Sequence, residues 1–211
     1  STRPSSITNE KGKNMTDAKT FDTNDPVLLM GSAEHYRILP PKKGHGHAND
    51  FAIKGIKKYK KDPVEFQKKA QRQWLALRDV FRLSGVKVVE LDADPDLPDL
   101  VFTADPTLSL VTPENGEDEH HEVSILSRFS NEERQGEVDV NISFLEANLP
   151  NRPIAQSHYR TEGTGDNIYD PFRDVFWSGF VRDPGRKNAA SGRSNIRSHR
   201  SLQAITGTPV I

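Results

Sequence analysis

The chain has 211 residues, enough for one full hydrophobic core or two small ones, and its formal net charge at pH 7 is -1. A hydrophobic content of 34% and a mean hydropathy of -0.70 are low for a compact domain, so part of the chain is expected to be tail or solvated loop. The chain contains no cysteine, which excludes disulfides, thiolate metal sites and a cysteine nucleophile within these residues.

The charges are strongly segregated along the chain. Residues 1–74 carry 15 Lys and Arg against 8 Asp and Glu, whereas residues 90–140 carry 2 against 15. Such an acidic middle segment would attract a cationic ligand. No apolar run approaches the roughly 20 residues of a bilayer span, and the N-terminus lacks the apolar stretch of a signal peptide. We therefore expect a soluble, cytoplasmic protein that does not act at membranes.

The first part of the chain has no hydrophobic pattern, so we expect residues 1–25 to be a disordered tail before a domain over 26–211. The first helix is predicted from Asp62, a suitable N-cap followed by Pro63, to Gly85. Its apolar face is predicted to contain four residues, Ala70, Trp74, Leu77 and Phe81. The β-branched run VKVVEL should follow as a strand.

A lysine-rich stretch, KGIKKYKKDPVEFQKK, overlaps the start of this helix. Its charge is suited to phosphate groups, which makes nucleic-acid binding one interpretation. The other interpretation, which we prefer, is a solvated basic loop before the first helix, without a nucleic-acid partner.

The predicted elements then repeat. Two short strands, LVFTAD and TLSLVT, flank Pro106, and EVSILSRF is a further strand. A second helix is predicted over NEERQGEVDVNISFLEANL, with the strand PIAQS after it and the Gly-rich loop TEGTGD next. Two strands, NIYD and VFWSGF, precede a third helix, IRSHRSLQAITG, which leads into TPVI. Because the third unit stops after one strand, we expect a C-terminal portion to be missing; a closing edge strand is the alternative.

The run LPDLVFTADP places Asp99 and Asp105 six positions apart. An even offset puts both side chains on one face of a straight strand, but a strand of this length spans about 20 Å. The two carboxylates can meet only if the chain bends between them. Otherwise Asp99 is a loop residue after Pro98 and Asp105 ends a strand.

Four stretches of the chain carry a family resemblance: QWLALRDVFRLSGVKVVELDADPDLPDLVFTADP, SRFSNEERQGE, TEGTGD and SHRSLQAITGTPVI. In their order and near their spacing, they resemble the guanidine-modifying (pentein) superfamily, and within it the dimethylarginine dimethylaminohydrolase and amidinotransferase group. The resemblance implies an α/β fold, an incomplete α/β propeller containing about the first three of five ββαβ-type repeats.

The resemblance also implies roles for six residues. Asp99 and Asp105 would hold a guanidinium, which two carboxylates can engage with paired hydrogen bonds. Arg128 would lie near the substrate's carboxylate, and Glu162 would be catalytic by orienting the family's histidine. Asp166 would bind substrate nitrogens. Arg193, with Arg182 as the competing candidate, would grip the α-carboxylate.

In the family a cysteine thiolate attacks the guanidinium carbon and a histidine transfers protons. The resemblance therefore implies a hydrolase of arginine or methylated arginine that gives citrulline. We expect this chain by itself to be inactive, because it lacks that cysteine and the matching histidine. Amidinotransferase, arginine deiminase and a non-catalytic arginine-binding protein are the alternatives.

No cofactor is expected. The histidines His45, His47, His120 and His121 make a weak metal-site pattern, and we expect no metal. The expected partner is a small guanidino substrate, and self-association of exposed apolar strands is possible in principle.

Overall fold

The computed structural model describes residues 27–38, 50–113, 120–180 and 194–211. The predicted tail, residues 1–25, and Arg182 and Arg193 lie outside these ranges, as do His45 and His47. The described part is a mixture of helices and short strands, which confirms the expected α/β class.

The first unit is a parallel strand pair joined through helices. Strand β1 (Val27–Gly31) pairs in parallel with β2 (Lys87–Leu91), and helices α1 (Asp50–Lys61) and α2 (Pro63–Leu83) lie between them in the chain. Helix α2 begins as predicted, because the Asp62 side chain accepts a hydrogen bond from the backbone N–H of Glu65 at 3.0 Å.

Helix α2 packs with the face that the sequence indicates, except at one position. Trp74 is buried against Met30 and Ala33, with Ala70 and Phe81 beside it. Leu77, which we expected on this face, is 50% exposed instead.

Helix α1 was not predicted: the basic stretch preferred as a loop is helical over Asp50–Lys61. Lys54, Lys57, Lys58 and Lys61 lie three or four residues apart, so they share one exposed stripe of the helix. The opposite face carries Ala52, Gly55, Ile56 and Tyr59, all of which are partly buried. The polar and apolar residues of α1 therefore alternate with the helical period of 3.6 residues. The high lysine content concealed this pattern when the stretch was judged by its composition.

The second unit contains β3 (Thr107–Pro113), β4 (His120–Leu126), α3 (Gln135–Asn148) and β5 (Ile154–Gln156). Strand β3 pairs antiparallel with β4, and β5 pairs in parallel with the other edge of β4. A single 3₁₀ turn, Glu132–Arg134, leads into α3.

The third unit repeats this pattern. Strand β6 (Asn167–Asp170) pairs antiparallel with β7 (Val175–Ser178), and α5 (Arg197–Thr206) follows. The chain then returns in parallel beside β7, where Val210 forms a bridge with Phe176. The one-turn helix α4 (Gly163–Asp166) lies within the Gly-rich loop between the second and third units.

Two apolar clusters meet at the central strand β4. Val123 and Ile125 join a cluster that also contains Phe176 and Leu202. The neighbouring residue Leu126 joins a second cluster against α3, formed with Phe129, Val138 and Leu145. The first cluster ties the second and third units to each other, and the second cluster holds α3 on the other face of β4 within the second unit. No sheet closes on itself among the described residues, so the propeller and its five repeats stay predictions.

Candidate functional site

The run LVFTAD, which we predicted as a strand, is a series of turns. Backbone hydrogen bonds join Leu100 to Leu97, Phe102 to Asp99 and Asp105 to Phe102, each three residues apart, at 2.9–3.1 Å. These turns bend the chain between Asp99 and Asp105, so the two aspartates are closer together than the ends of a straight strand would be. The strand prediction was therefore wrong. The chain does bend between Asp99 and Asp105, and the two carboxylates come close to the same guanidinium, that of Arg134.

Contacts with strand β1 hold this coiled segment in place. The Thr103 hydroxyl donates to the carbonyl of Leu29 at 3.0 Å. A side chain at Gly31 would collide with the carbonyl oxygen of Leu100, so glycine is needed there for close backbone approach. The end of β1 thus supports the loop that bears Asp99.

Arg134 gathers the acidic residues around one guanidinium. Its Nη1 donates to Asp105 at 2.9 Å, and its Nε and Nη2 donate to the two oxygens of Glu137, both at 2.7 Å. Its Nε lies 4.0 Å from Oδ2 of Asp99. The guanidinium carbon is 4.4 Å from the ring centre of Phe129, which is close enough for a cation–π interaction.

Burial and charge shape the protonation of this cluster. Burial raises the pKa of Asp99 above the ordinary aspartate value; the Arg134 cation opposes the rise, and the Asp105 carboxylate adds to it. Burial also raises the pKa of Glu137, against the effect of its two hydrogen bonds from Arg134. Burial favours a lower pKa for Arg134, but Glu137 and Asp105 outweigh it and raise that pKa. The arginine therefore stays charged.

The TEGTGD loop packs directly on the segment that bears Asp105. The N–H of Thr164 donates to the carbonyl of Ala104 at 2.9 Å. Gly163 has a positive φ of 37°, and a Cβ there would lie 2.5 Å from the carbonyl oxygens of Ala104 and Asp105. This glycine lets the two acidic segments meet.

Glu162 and Asp166 are held by serine residues from two directions. Glu162 is buried and accepts hydrogen bonds from the N–H and the hydroxyl of Ser130, at 3.4 and 3.1 Å. The Ser194 hydroxyl donates to Asp166 at 2.6 Å and accepts from the N–H of Glu162 at 3.2 Å. Ser194 therefore links the side chain of Asp166 to the backbone of Glu162.

Arg128 lies beside the same loop. Its backbone pairs with Thr161, and its Nε donates to the carbonyl of Ser157 at 3.2 Å. The residue is exposed, and its neighbour in the pairing directly precedes Glu162. An approaching anionic group could therefore reach it.

The structure thus brings Asp99 and Asp105 to one cluster and places Glu162, Asp166 and Arg128 on the adjoining loop and strand end. Arg134 and Glu137 stand at the start of the second predicted helix, and the sequence analysis gave neither of them a role in substrate binding. One feature of the sequence could have indicated their role: Arg134 is one of only two Lys and Arg residues in the acidic segment 90–140, so it is a natural partner for these carboxylates. Ser130 and Ser194 carried no recognisable signal, because serine is common in loops.

Other site types find little support in the part of the chain that the structure describes. Within those ranges, no group of three or more histidine and acidic residues is arranged to hold a metal ion. None of the described helices combines the length and apolar character required to cross a bilayer.

Comparison with known proteins gives the fold and two relatives in sequence. No family model matches the sequence. The N-terminal domain of ArgZ, an arginine dihydrolase from cyanobacteria solved with its substrate, superposes with a TM-score of 0.65 at 23% identity, covering 89% of this chain and 57% of that one. A dimethylarginine dimethylaminohydrolase from Pseudomonas aeruginosa, solved with citrulline, gives a TM-score of 0.56 at 19% identity, covering 89% and 60%. The fold is therefore that of guanidine-modifying enzymes.

The sequence itself matches N(G),N(G)-dimethylarginine dimethylaminohydrolase of Mycobacterium tuberculosis, with 29% identity over 149 residues. The match covers 71% of this chain and 41% of that protein. The chain is thus similar in sequence to a dimethylarginine dimethylaminohydrolase and shares its fold with enzymes of that kind and with an arginine dihydrolase. It spans about two-fifths of the length of the curated relatives it matches.

Proposed function

We propose that this chain provides the guanidinium-binding part of a hydrolase that acts on arginine or a methylated arginine. The observation that carries the proposal is the cluster of Asp99, Asp105 and Glu137, whose three carboxylates surround a single internal guanidinium. If all four groups are ionised, the cluster keeps an excess of negative charge. A second, incoming guanidinium would be attracted to it.

The roles proposed for the individual residues are those that the resemblance implies. Asp99 and Asp105 provide the negative charge that holds the cationic head of the substrate, by direct hydrogen bonds or through a neighbouring side chain. Glu162 and Asp166 lie on the adjoining loop, where they can accept N–H groups from the substrate or orient a general acid. Arg128 and Arg193 are the candidates for binding the α-carboxylate, and Arg182 is the alternative to Arg193.

The reaction in this proposal is hydrolysis at the guanidinium carbon. A thiolate adds to that carbon, the amine leaves with a proton from a general acid, and water then displaces the thiolate to give a urea product such as citrulline. The 211 residues contain no cysteine, so this chain cannot supply the thiolate. We assign the binding half of the reaction to it, and the nucleophile and its histidine to residues outside this sequence.

Ligand binding tests the proposal without requiring turnover. Titration calorimetry of the chain with L-arginine and with citrulline compares a cation with a neutral ligand of nearly the same shape. We expect arginine to bind and citrulline to bind at least tenfold more weakly, because the carboxylates then lose a charged partner. Equal affinities for the two ligands would overturn the proposal.

A matched pair of variants locates the binding. Asp99→Asn should weaken arginine binding by about 10–100-fold, which corresponds to losing a hydrogen bond to a charged group. Asp96→Asn removes an exposed aspartate from the same loop and should leave the affinity unchanged. Equal effects of the two changes would mean that only the overall negative charge attracts the ligand.

One observation favours a second candidate, a protein that binds arginine-like ligands without chemistry. It is the lack of a cysteine beside an intact acidic cluster. The two candidates are separated by a citrulline assay with arginine or dimethylarginine on a protein that extends this chain with the residues that follow it in the gene. A hydrolase would then form citrulline, and a binding protein would not. The chain alone should form no citrulline; if it does, neither candidate is correct.

A further inference from the structure

The three carboxylates around Arg134 differ in how far solvent can reach them. The side chain of Glu137 is 1% exposed and that of Asp105 is 12% exposed, whereas that of Asp99 is 35% exposed. Arg134 itself is 11% exposed. A ligand that comes from solvent therefore meets Asp99 first, with the arginine and the other two carboxylates behind it.

The hydrogen bonds of Arg134 show the same division. Its three kinds of donor nitrogen are directed at Glu137 and Asp105, at 2.7–2.9 Å. The 4.0 Å separation from Asp99 is too long for a hydrogen bond. The ring of Phe129 covers the guanidinium at 4.4 Å and restricts its movement. Arg134 is thus anchored by hydrogen bonds to two buried carboxylates, while Asp99 pairs with it only at the longer distance of 4.0 Å.

We propose that Arg134 is a positioning residue which fixes Asp105 and Glu137 and keeps Asp99 as the carboxylate that contacts the incoming guanidinium. This inference rests on the proposed function, and it divides the roles of the two aspartates. Asp105 then acts through Arg134, because one of its oxygens already accepts from that residue. Asp99 supplies the direct contact.

Arg134 affects the protonation of Asp99 through its positive charge, in addition to anchoring the other two carboxylates through its geometry. Charged and titratable groups face Asp99 from the end of the segment after β1, from its own loop, from the 3₁₀ turn before α3 and from α3 itself: Tyr36, Arg37, Asp105, Glu133, Arg134 and Glu137. Burial and the neighbouring carboxylates favour a protonated Asp99, and the nearer cation opposes them. Loss of Arg134 should therefore leave a carboxyl group that is protonated over a wider pH range and binds a cation less well.

Lysine cannot replace Arg134 fully. An ammonium group keeps the positive charge, but it lacks the planar arrangement of donors that reaches two carboxylates at once. Arg134→Lys should therefore keep part of the electrostatic effect on Asp99 and lose the anchoring of Asp105. Arg134→Met should lose both. The two variants separate charge from geometry.

The test measures the titration midpoint of Asp99 by NMR of the ¹³C-labelled carboxyl group, in the ligand-free chain. Relative to the unmodified chain, Arg134→Met should raise the midpoint by about 1–3 units, as expected for removing an opposite charge at this distance. Arg134→Lys should give a smaller rise. Arg37→Met is the control, because Arg37 has the weaker effect of the two cations, and it should change the midpoint least.

Arginine binding by the same variants completes the test. We expect Arg134→Lys to lower the affinity about tenfold or more although its Asp99 midpoint is nearly normal. If Arg134→Met does not stay folded, Arg134→Lys carries both readouts. Unchanged arginine affinity in Arg134→Lys would overturn the inference, as would an Asp99 midpoint that does not rise in a folded Arg134→Met.

A failure of the proposed function gives a different result. If the unmodified chain does not bind arginine but the Asp99 midpoint depends on Arg134 as stated, the substrate assignment is wrong and the control of Asp99 by Arg134 is supported. If the chain binds arginine and Asp99 does not respond to any change at Arg134, the function is supported and the positioning role is refuted.

Discussion

Replacing Gly163 with alanine should destabilise the protein and disrupt the acidic cluster, whereas the same change at Gly207 should destabilise it less and leave the cluster intact. Both glycines have a positive φ, 37° and 72°. An added Cβ at Gly163 would lie 2.5 Å from two backbone oxygens, and one at Gly207 would meet nothing within 4 Å. The pair therefore separates the cost of the backbone conformation from the cost of the close approach.

The magnitude follows from adding the two costs. A side chain in the left-handed region costs about 1–2 kcal/mol, and both variants incur this cost. Gly163→Ala also forces the backbones of Ala104 and Asp105 to move, and such overpacking costs about 1–3 kcal/mol more. We expect a total loss of about 2–5 kcal/mol in the free energy of unfolding for Gly163→Ala.

Urea denaturation monitored by circular dichroism measures both values, provided that the slope of the transition is unchanged. Arginine affinity should also fall in Gly163→Ala, because Asp105 is displaced, and should be retained in Gly207→Ala. Equal losses of stability in the two variants would show that the TEGTGD loop does not press on the segment that bears Asp105, and the geometry described for the site would be wrong.

Three further predictions concern burial and charge. Arg134→Met should cost about 3–5 kcal/mol of unfolding free energy, because it leaves buried carboxylates without a counter-ion. The control Arg72→Met, from an exposed ion pair of 2.8 Å, should cost about 0–1 kcal/mol; similar losses would contradict the argument. Phe176→Ala should cost about 3–5 kcal/mol in urea denaturation, since Phe176 is fully buried, and Phe172→Ala, at a 96% exposed residue, less than about 0.5 kcal/mol. Burial raises the pKa of Asp99, so its stabilising contribution is full below its unfolded pKa of about 3.9 and falls as the pH rises through the raised value. Asp99→Asn should flatten this part of the stability–pH curve, and an unchanged curve would refute the raised pKa.

The sequence predicts the elements whose signals are local. Helix α2 has an N-cap, a proline at its first position and a glycine after its end, and its bounds agree with the prediction. The two strands predicted on either side of Pro106 differ from α2, because only one of them is present. TLSLVT alternates as a strand should and forms β3, but LVFTAD has the same apolar character and forms turns. Composition does not distinguish these two outcomes, because the turns depend on contacts with β1.

The motifs of the candidate site were also visible in the sequence, since Asp99, Asp105, Glu162 and Asp166 stand in recognisable surroundings. Their geometry was not. The anchoring of Asp105 by Arg134 joins residues 29 positions apart, and the hydrogen bond from Ser194 to Asp166 joins residues 28 apart. Sequence periodicity and motif spacing predict contacts within a few residues, and they do not predict which residues pair at such separations.

What the sequence determined alone is therefore the class of fold, most of its helices and strands, and a charge pattern suited to a cation, because these depend on interactions within a few residues. What only the tertiary structure decided is the bend between Asp99 and Asp105, the helix in the lysine-rich stretch, and the use of Arg134 as an internal cation. Those features depend on which distant backbone and side-chain groups are brought together, and burial then gives each of these charges an energetic weight that it lacks in the extended chain.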